Sequence, residues 1–557
     1  MRDLQDMKVI VQGPYKVVPE KITVPRGANL VKEITKILDE FEADKVAGTA
    51  LISVQTGYGK TYGMIHGVVP WARERNYQIL YVSSRVAINT QFKGELVEET
   101  GQGHLKEELT KVGMRNRTEF DGVDVITYHK LMYMLKHEQS SLKRYDILII
   151  DEVHALLDDS MFVSGTGQLL KDLEHFCNTS IRLYLSATPE AIMPHLPWAP
   201  LPFHSKFLHM PRNYDYVVPH FFANEEELLK CINEDTSSKK WLVYMTSISD
   251  ARNFSKGLRH PFCMLNGEER EAHPEKWYEV LENESFEEKV CLATAVIDAG
   301  VNLKDPALVN IAIFSTNPNT YKQVLGRKRR SSLDEKVHLY AWCPMPEEIN
   351  KLKARNIAMR EAIDSFEMRK AQFIQNYILQ PKEFDLRPIM DVSPDGEMTP
   401  NHLARVYLQN EYDLFEKIQL YAKEHKDPAC FDYFVTRWLG IPRPDRADSW
   451  LDGRFSGEAR LEFQRYLDEY SGVIMDEDGF VEFSKGFQHK CIEAYGKASN
   501  GRDRDDRVWK EKKINNKFEE LELPYGNVPI LEMIILVLFA IAILDISMAN
   551  RMTTVMH

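Results

Sequence analysis

Cysteine is sparse and unpaired in this chain. Cys177, Cys231, Cys263, Cys291, Cys343, Cys430 and Cys491 are scattered over 557 residues, and none sit at CxxC or zinc-knuckle spacing. That excludes a disulfide scaffold and a cysteine-based zinc site, and it fits a reducing compartment. The start, MRDLQDMKVI, lacks the apolar stretch of a secretory signal, so none is expected. No metal-nuclease or protease constellation stands out. Basic residues are outnumbered, 70 against 83 acidic, giving a formal charge of −13. That excludes a blanket nucleic-acid coat and leaves room for a local basic groove. With 44% hydrophobic and 27% charged residues the composition is that of a globular protein, not a collagen, a rod or a disordered chain. The length allows roughly three domains.

Short apolar runs alternate with helical stretches over the first 345 residues or so: ALISVQT (50–56), QILYVSS (78–84), DVITY (124–128), YDILIIDEV (145–153) and IRLYLSAT (181–188). They run continuously apolar rather than alternating and end in polar residues, as strands buried on both faces of a parallel sheet read. A proline-rich stretch follows, Pro189 to Pro211, and predicts a connection between lobes. A second series then runs through 241–248, 289–296, 308–315 and 336–342. Two βα series predict two doubly wound lobes. Residues 347–378 read as a long charged helix, 391–402 as a linker, and 403–523 as mostly helical. The expected boundaries are an N-terminal extension (1–24), lobe 1 (25–210), lobe 2 (211–346), a mainly helical accessory domain (347–527) and a hydrophobic tail (528–557).

Two segments carry chemistry. QTGYGKT (55–61) leaves a strand and enters a helix. Gly57 and Gly59 let backbone N–H groups curl toward phosphate, Lys60 adds charge, and Thr61 offers a hydroxyl to Mg²⁺. The full GxxxxGK[ST] pattern would put glycine at 54, where this chain has Val54. ILIIDEVH (147–154) ends an apolar strand in two carboxylates. Asp151 is suited to hold Mg²⁺ through water, and Glu152 to orient or deprotonate an attacking water. His154 reads as a polar contact on the γ-phosphate side.

With SAT (186–188), these motifs resemble superfamily 2 helicases of the DEAH/DExH type. Further motifs follow in order: SSRVAINTQ (83–91), VITYHKL (125–131), WLVYMTSIS (241–249), LATAVIDAGVNLKD (292–305) and QVLGRKRR (323–330). The likeness covers about 25–345, and in wording is similar to helicase-family proteins of bacterial mobile elements and phages. It implies two tandem RecA-like doubly wound parallel-sheet lobes followed by a mainly helical C-terminal domain. It also implies ATP and Mg²⁺, with Thr56, Gly57, Gly59, Lys60, Thr61 and Asp298 at the nucleotide and Thr61 and Asp151 at the metal. Gln323, Arg327 and Arg330 have Q-x-x-G-R-x-x-R spacing. On one helix they would share a face, turning Gln323 to the attacking water and two guanidinium groups to the γ-phosphate. Ser186 and Thr188, with His154, would relay nucleotide state between the lobes. Ser84, Arg85, Thr127, Thr246 and Thr294 fall at motif positions that touch a nucleic-acid backbone. The partner implied is single-stranded nucleic acid or a duplex with a single-stranded end, DNA ahead of RNA, with replication or repair proteins beside it. The location implied is the cytoplasm of a bacterial or phage-infected cell. VPRGANLVKEI (24–34) lacks the glutamine that reads adenine in relatives, and no HD nuclease segment is present.

Two readings of activity stay open: a helicase or translocase, and an ATP-gated clamp that binds without separating strands. The tail stays open as well. Its uncharged core, Met533 to Leu544, is 12 residues, roughly 18 Å of helix against about 30 Å of hydrocarbon. A buried or partner-docking helix is preferred to a membrane anchor.

Overall fold

The computed structural model describes residues 17–105, 117–174, 180–199, 204–295, 297, 301–332, 334–372, 389–392, 398–451, 457–471, 477–495 and 514. Asp298 and the tail 528–557 lie outside the described residues.

Lobe 1 is built on β1 (Glu20–Thr23), β2 (Thr49–Ser53), β3 (Ile79–Ser83), β4 (Glu119–Phe120), β5 (Val123–Thr127), β6 (Ile147–Ile150), β7 (Ile181–Ser186) and β8 (Ser205–His209). They form one sheet in the order β1-β8-β2-β7-β6-β3-β5-β4. Its pairs are parallel except for β4 with β5. Lobe 2 carries β9 (Val217–Phe222), β10 (Lys240–Met245), β11 (Phe262–Leu265), β12 (Val290–Ala293), β13 (Leu308–Phe314) and β14 (Val337–Trp342). This second sheet is parallel throughout, in the order β11-β12-β10-β13-β14-β9. Residues on both faces of the central strands are buried, which explains the continuous apolar runs: all five residues of β2 and of β3 are shut away from solvent.

The proline-rich stretch is more than a connection. It contains β8, which sits inside the lobe 1 sheet between β1 and β2. The prolines flank the strand, so none removes an N–H from its ladder. Residues 20–23, expected in an extension, form the edge strand β1 against β8. The expected linker holds a two-stranded antiparallel pair, β15 (Met390–Val392) with β16 (Met398–Pro400).

The C-terminal region is helical, as expected. Its helix Pro346–Met368 lies along the helix His402–His425, with Asn356 donating to the Leu408 carbonyl (2.9 Å) and to Glu411 (2.8 Å). The second of these helices touches both lobes. Near its start, Leu403 joins the lobe 1 core beside Leu156 and Leu169, and the capping residue Asn401 donates to Thr166 Oγ1 (2.9 Å). Farther along, Phe415 and Ile418 join the lobe 2 core with Ile311 and Leu339. Among the described residues no helix is long and apolar enough to cross a membrane.

Candidate nucleotide site and its link to the second lobe

The phosphate loop follows β2. Gly57 (φ +88°) and Gly59 (φ +85°) adopt left-handed backbone, which costs glycine nothing. Gly59 caps the helix that begins at Lys60, and Thr61 stands in its first turn. The helix continues through a π-helical stretch, Met64–Val68, into Val69–Glu74. Pro70 has no N–H to give the carbonyl four residues back, and widening the turn accommodates the missing donor.

Lys60 Nζ donates to the Val54 carbonyl (3.2 Å) and lies 3.8 Å from Glu152 Oε1. The residue that departs from the glycine pattern thus contributes its backbone, which any residue type supplies. Asp151 and Glu152 leave β6 buried. Tyr81 OH donates to Asp151 Oδ2, the Glu152 N–H donates to Asp151 Oδ1 (2.8 Å), and Tyr128 OH donates to the Asp151 carbonyl (2.6 Å). Burial, then the charge of Glu152, pushes the Asp151 carboxyl up to about 6. Burial also works against ionising Glu152, but the charges of Lys60, Arg327 and Arg329 hold it below the usual carboxylate range. Glu152 has φ +51°, a left-handed conformation that a non-glycine residue adopts at a cost of order 1–3 kcal/mol. The Glu152 carboxylate meets Lys60 and His154 while that of Asp151 meets Tyr81, so the pair can serve two tasks.

His154 is the hub between the lobes. Its Nδ1 is 3.0 Å from Ser186 Oγ and 3.3 Å from Glu152 Oε2, and its Nε2 meets Gln323 Nε2 at 3.0 Å. The Gln323 amide can only donate there, so the imidazole proton belongs on Nδ1. Burial pulls its pKa down to about 4, keeping the ring neutral. Gln323 also donates to Thr188 Oγ1 (3.3 Å) and accepts from Arg327 Nη2 (3.3 Å), while Ser186 Oγ accepts the Thr188 N–H (2.9 Å). Ser186, Thr188 and His154 on lobe 1 thereby join Gln323 and Arg327 on lobe 2 in one buried network. Close packing accompanies it: a Cβ at Gly326 would stand 2.5 Å from the Thr56 Cβ.

Arg330 departs from the helical-face expectation. The helix Pro318–Arg327 ends at Arg327. Leu303 N–H donates to the Arg327 carbonyl and Arg329 N–H to the Leu303 carbonyl, both 2.8 Å, and this bridge draws the chain straight. Successive side chains then point to opposite sides. Lys328 turns to Glu335 (2.6 Å) and the Asp305 carbonyl (2.9 Å). Arg330 lies over the Tyr216 ring, 4.0 Å from its centroid. Arg329 turns to the phosphate loop. Neither Arg329 nor its partner Asn302 was singled out from sequence, because the spacing argument assumed an unbroken helix. Val54, Tyr81 and Tyr128 were missed as well; their roles are local and have no motif.

The residues fit a magnesium nucleotide. Lys60, Arg327 and Arg329 gather around Glu152, and Thr56 Oγ1 is buried without a hydrogen-bond partner. Hydroxyl and carboxylate oxygens, from Thr61 and Asp151, suit a hard cation.

The residues expected at nucleic acid all stand at or just beyond the carboxyl ends of parallel strands, the edge where open α/β sheets take ligands. Ser84 and Arg85 follow β3, Thr127 ends β5, Thr246 follows β10 and Thr294 follows β12. Arg85 pairs with Asp159 (2.6 Å), and Thr127 caps the helix Tyr128–His137 by accepting from the Lys130 N–H. Thr246 is exposed, whereas Ser84 and Thr294 are buried.

Residues 29–191 match the family model of the type III restriction enzyme res subunit, and residues 223–332 that of the helicase conserved C-terminal domain. No curated protein matches the sequence. Solved structures to which the chain shows similarity include S. cerevisiae Dbp5 bound to RNA and ADP BeF3 (16% identity, 57% of this chain, 90% of that one, TM-score 0.40). The DEAD-box helicase Mss116 bound to ssRNA and UDP-BeF is another (11% identity, 71% and 93%, TM-score 0.42). A third is Mycobacterium smegmatis helicase Lhr bound to ssDNA and AMP-PNP (15% identity, 69% and 62%, TM-score 0.38). The res-subunit and helicase C-terminal models match in chain order, one on each lobe, and together they indicate an ATP-hydrolysing helicase.

Proposed function

We propose that the chain is a DExH-type motor that hydrolyses ATP between its lobes and moves on or unwinds nucleic acid, with DNA as the preferred track. The observation that carries this reading is the buried network from Ser186 through His154 and Gln323 to Arg327. It ties the carboxylate pair of one lobe to the arginine helix of the other, so a change at the phosphates is felt by both. Asp-Glu-Val-His at 151–154 is the DExH wording.

In this reading the backbone of Gly57 to Thr61 and the Lys60 amine hold the phosphates, displacing Lys60 from its resting contact with Glu152. Magnesium, held by Thr61 and Asp151, supplies charge neutralisation at the terminal phosphates. Glu152, kept ionised by the surrounding cations, orients the attacking water and accepts its proton. Arg327, positioned by Gln323, stabilises charge that develops on the transferred phosphoryl group. Asp298 is assigned to the ribose or the arginine segment. Single-stranded nucleic acid crosses the carboxyl-end edge at Ser84, Arg85, Thr127, Thr246 and Thr294. Arg85 exchanges Asp159 for phosphate, which makes binding salt-sensitive.

A fluorescent duplex with a single-stranded overhang tests the reading. The full chain with Mg-ATP should displace the strand, and Lys60→Ala should not. ATP turnover without displacement on DNA or RNA overhangs would replace the motor by the ATP-gated clamp.

A further inference from the structure

Arg329 is the arginine that reaches the phosphate loop. Its Nε and Nη2 donate to Asn302 Oδ1 at 2.9 and 2.6 Å. That grip takes one edge of the guanidinium and turns Nη1 toward Gly57. Nη1 lies only 1.8 Å from where a Cβ at position 57 would be, so the group occupies the space that glycine leaves. It is close enough to Glu152 for the two charges to influence each other. Burial, then the charge of Arg327, lowers Arg329 to about 10, so it stays a cation at neutral pH. Arg327 and Arg329 thus bring two like charges to the side of the phosphate loop, offset by the Glu152 carboxylate alone until a phosphate enters.

We propose that Arg329, aimed by Asn302, is a second lobe 2 contact to the terminal phosphate of the nucleotide, beside Arg327. The inference rests on the phosphate-loop reading of residues 55–61. A guanidinium presents two N–H groups on one edge and matches a phosphate oxygen pair. With Asn302 holding the Nε side, the Nη1 end is the one turned to the phosphate loop. A contact confined to the terminal phosphate discriminates triphosphate from diphosphate. Asn302 is a positioning residue, since it acts through Arg329.

The test compares Arg329→Ala, Arg329→Lys and Asn302→Ala in the full chain, with Lys60→Ala as control. Arg329→Ala should lower kcat by about 100-fold, the loss typical of removing one donor to a developing oxyanion. ADP affinity, read with a fluorescent ADP analogue, should stay within about twofold, because the terminal phosphate is absent. Arg329→Lys keeps the charge but not the fork and should recover only part of the rate. Asn302→Ala should fall between wild type and Arg329→Ala. Should Arg329→Ala fail to fold, the lysine variant decides by the same two readouts. Near-normal kcat in the Arg329 variants, or equal loss of ATP and ADP affinity, overturns the proposal. If Lys60→Ala also keeps full turnover, the phosphate-loop reading itself fails; if Lys60→Ala is inactive, only the role of Arg329 does.

Discussion

Two histidines show how far a single residue's surroundings set its behaviour. His154 is neutral because it is buried, and neutrality lets it accept from Gln323 on one nitrogen while donating from the other. Outside the nucleotide site, His220 on β9 meets His338 on β14, Nε2 to Nδ1 at 2.9 Å, and stacks on Tyr340. Burial, then the neighbouring His338, lowers His220 to about 4. The unfolded chain takes up that proton first, near the ordinary value of about 6.5. His220 therefore leaves stability intact above about pH 6.5 and drains it as pH falls toward 4. The melting midpoint should drop between pH 7 and pH 5, and His220→Phe should flatten that drop. An identical pH slope in the variant would show that the pair does not titrate in this way.

At the scale of elements, the helix Pro318–Arg327 does its work through its last turn. Gly326 is there because the lobes meet: a methyl group would collide with Thr56. Gly326→Ala should leave the melting midpoint unchanged while lowering kcat by about 100-fold, since an ångström of misplacement is enough to misalign reacting groups. Turnover near wild type would mean the lobes do not need this contact. The same element marks a limit of sequence reading. Spacing placed Gln323, Arg327 and Arg330 on one face, but a helix stops where its chain finds another partner, and the bridge from Leu303 to Lys328 is a long-range pairing that no local pattern announces. Strands behave likewise. The five long runs of lobe 1 and the four of lobe 2 were legible because burial on both faces makes them mostly apolar, with few polar residues inside. β9 was not: it is an edge strand with Pro219 inside it, and prolines are tolerated at an edge but read as a break. β8 was hidden among prolines, and β1 is four residues of mixed polarity at the sheet's margin.

At the scale of the whole molecule, the phosphate loop, the carboxylate pair and the arginine segment lie far apart in sequence and meet only where the two lobes come together. Each shows in the sequence as a motif, because phosphate and magnesium chemistry restricts residue types to a few. Their partners do not: His154 to Ser186 and Gln323, and Asn302 to Arg329, are pairings that tertiary structure alone creates. The C-terminal helix His402–His425 adds a second tie between the lobes, seated in the lobe 1 core by Leu403 and the lobe 2 core by Phe415 and Ile418. An opening between the lobes would have to bend or release that brace.

The central claim is that nucleic acid and ATP turnover are coupled through this cleft. Steady-state ATP hydrolysis by the full chain, alone and with single-stranded DNA, single-stranded RNA and duplex, beside Glu152→Gln, tests it most directly. Stimulation by a single strand, strongest with DNA and absent in Glu152→Gln, is the result predicted. Turnover indifferent to every polymer, or undiminished in Glu152→Gln, would contradict it.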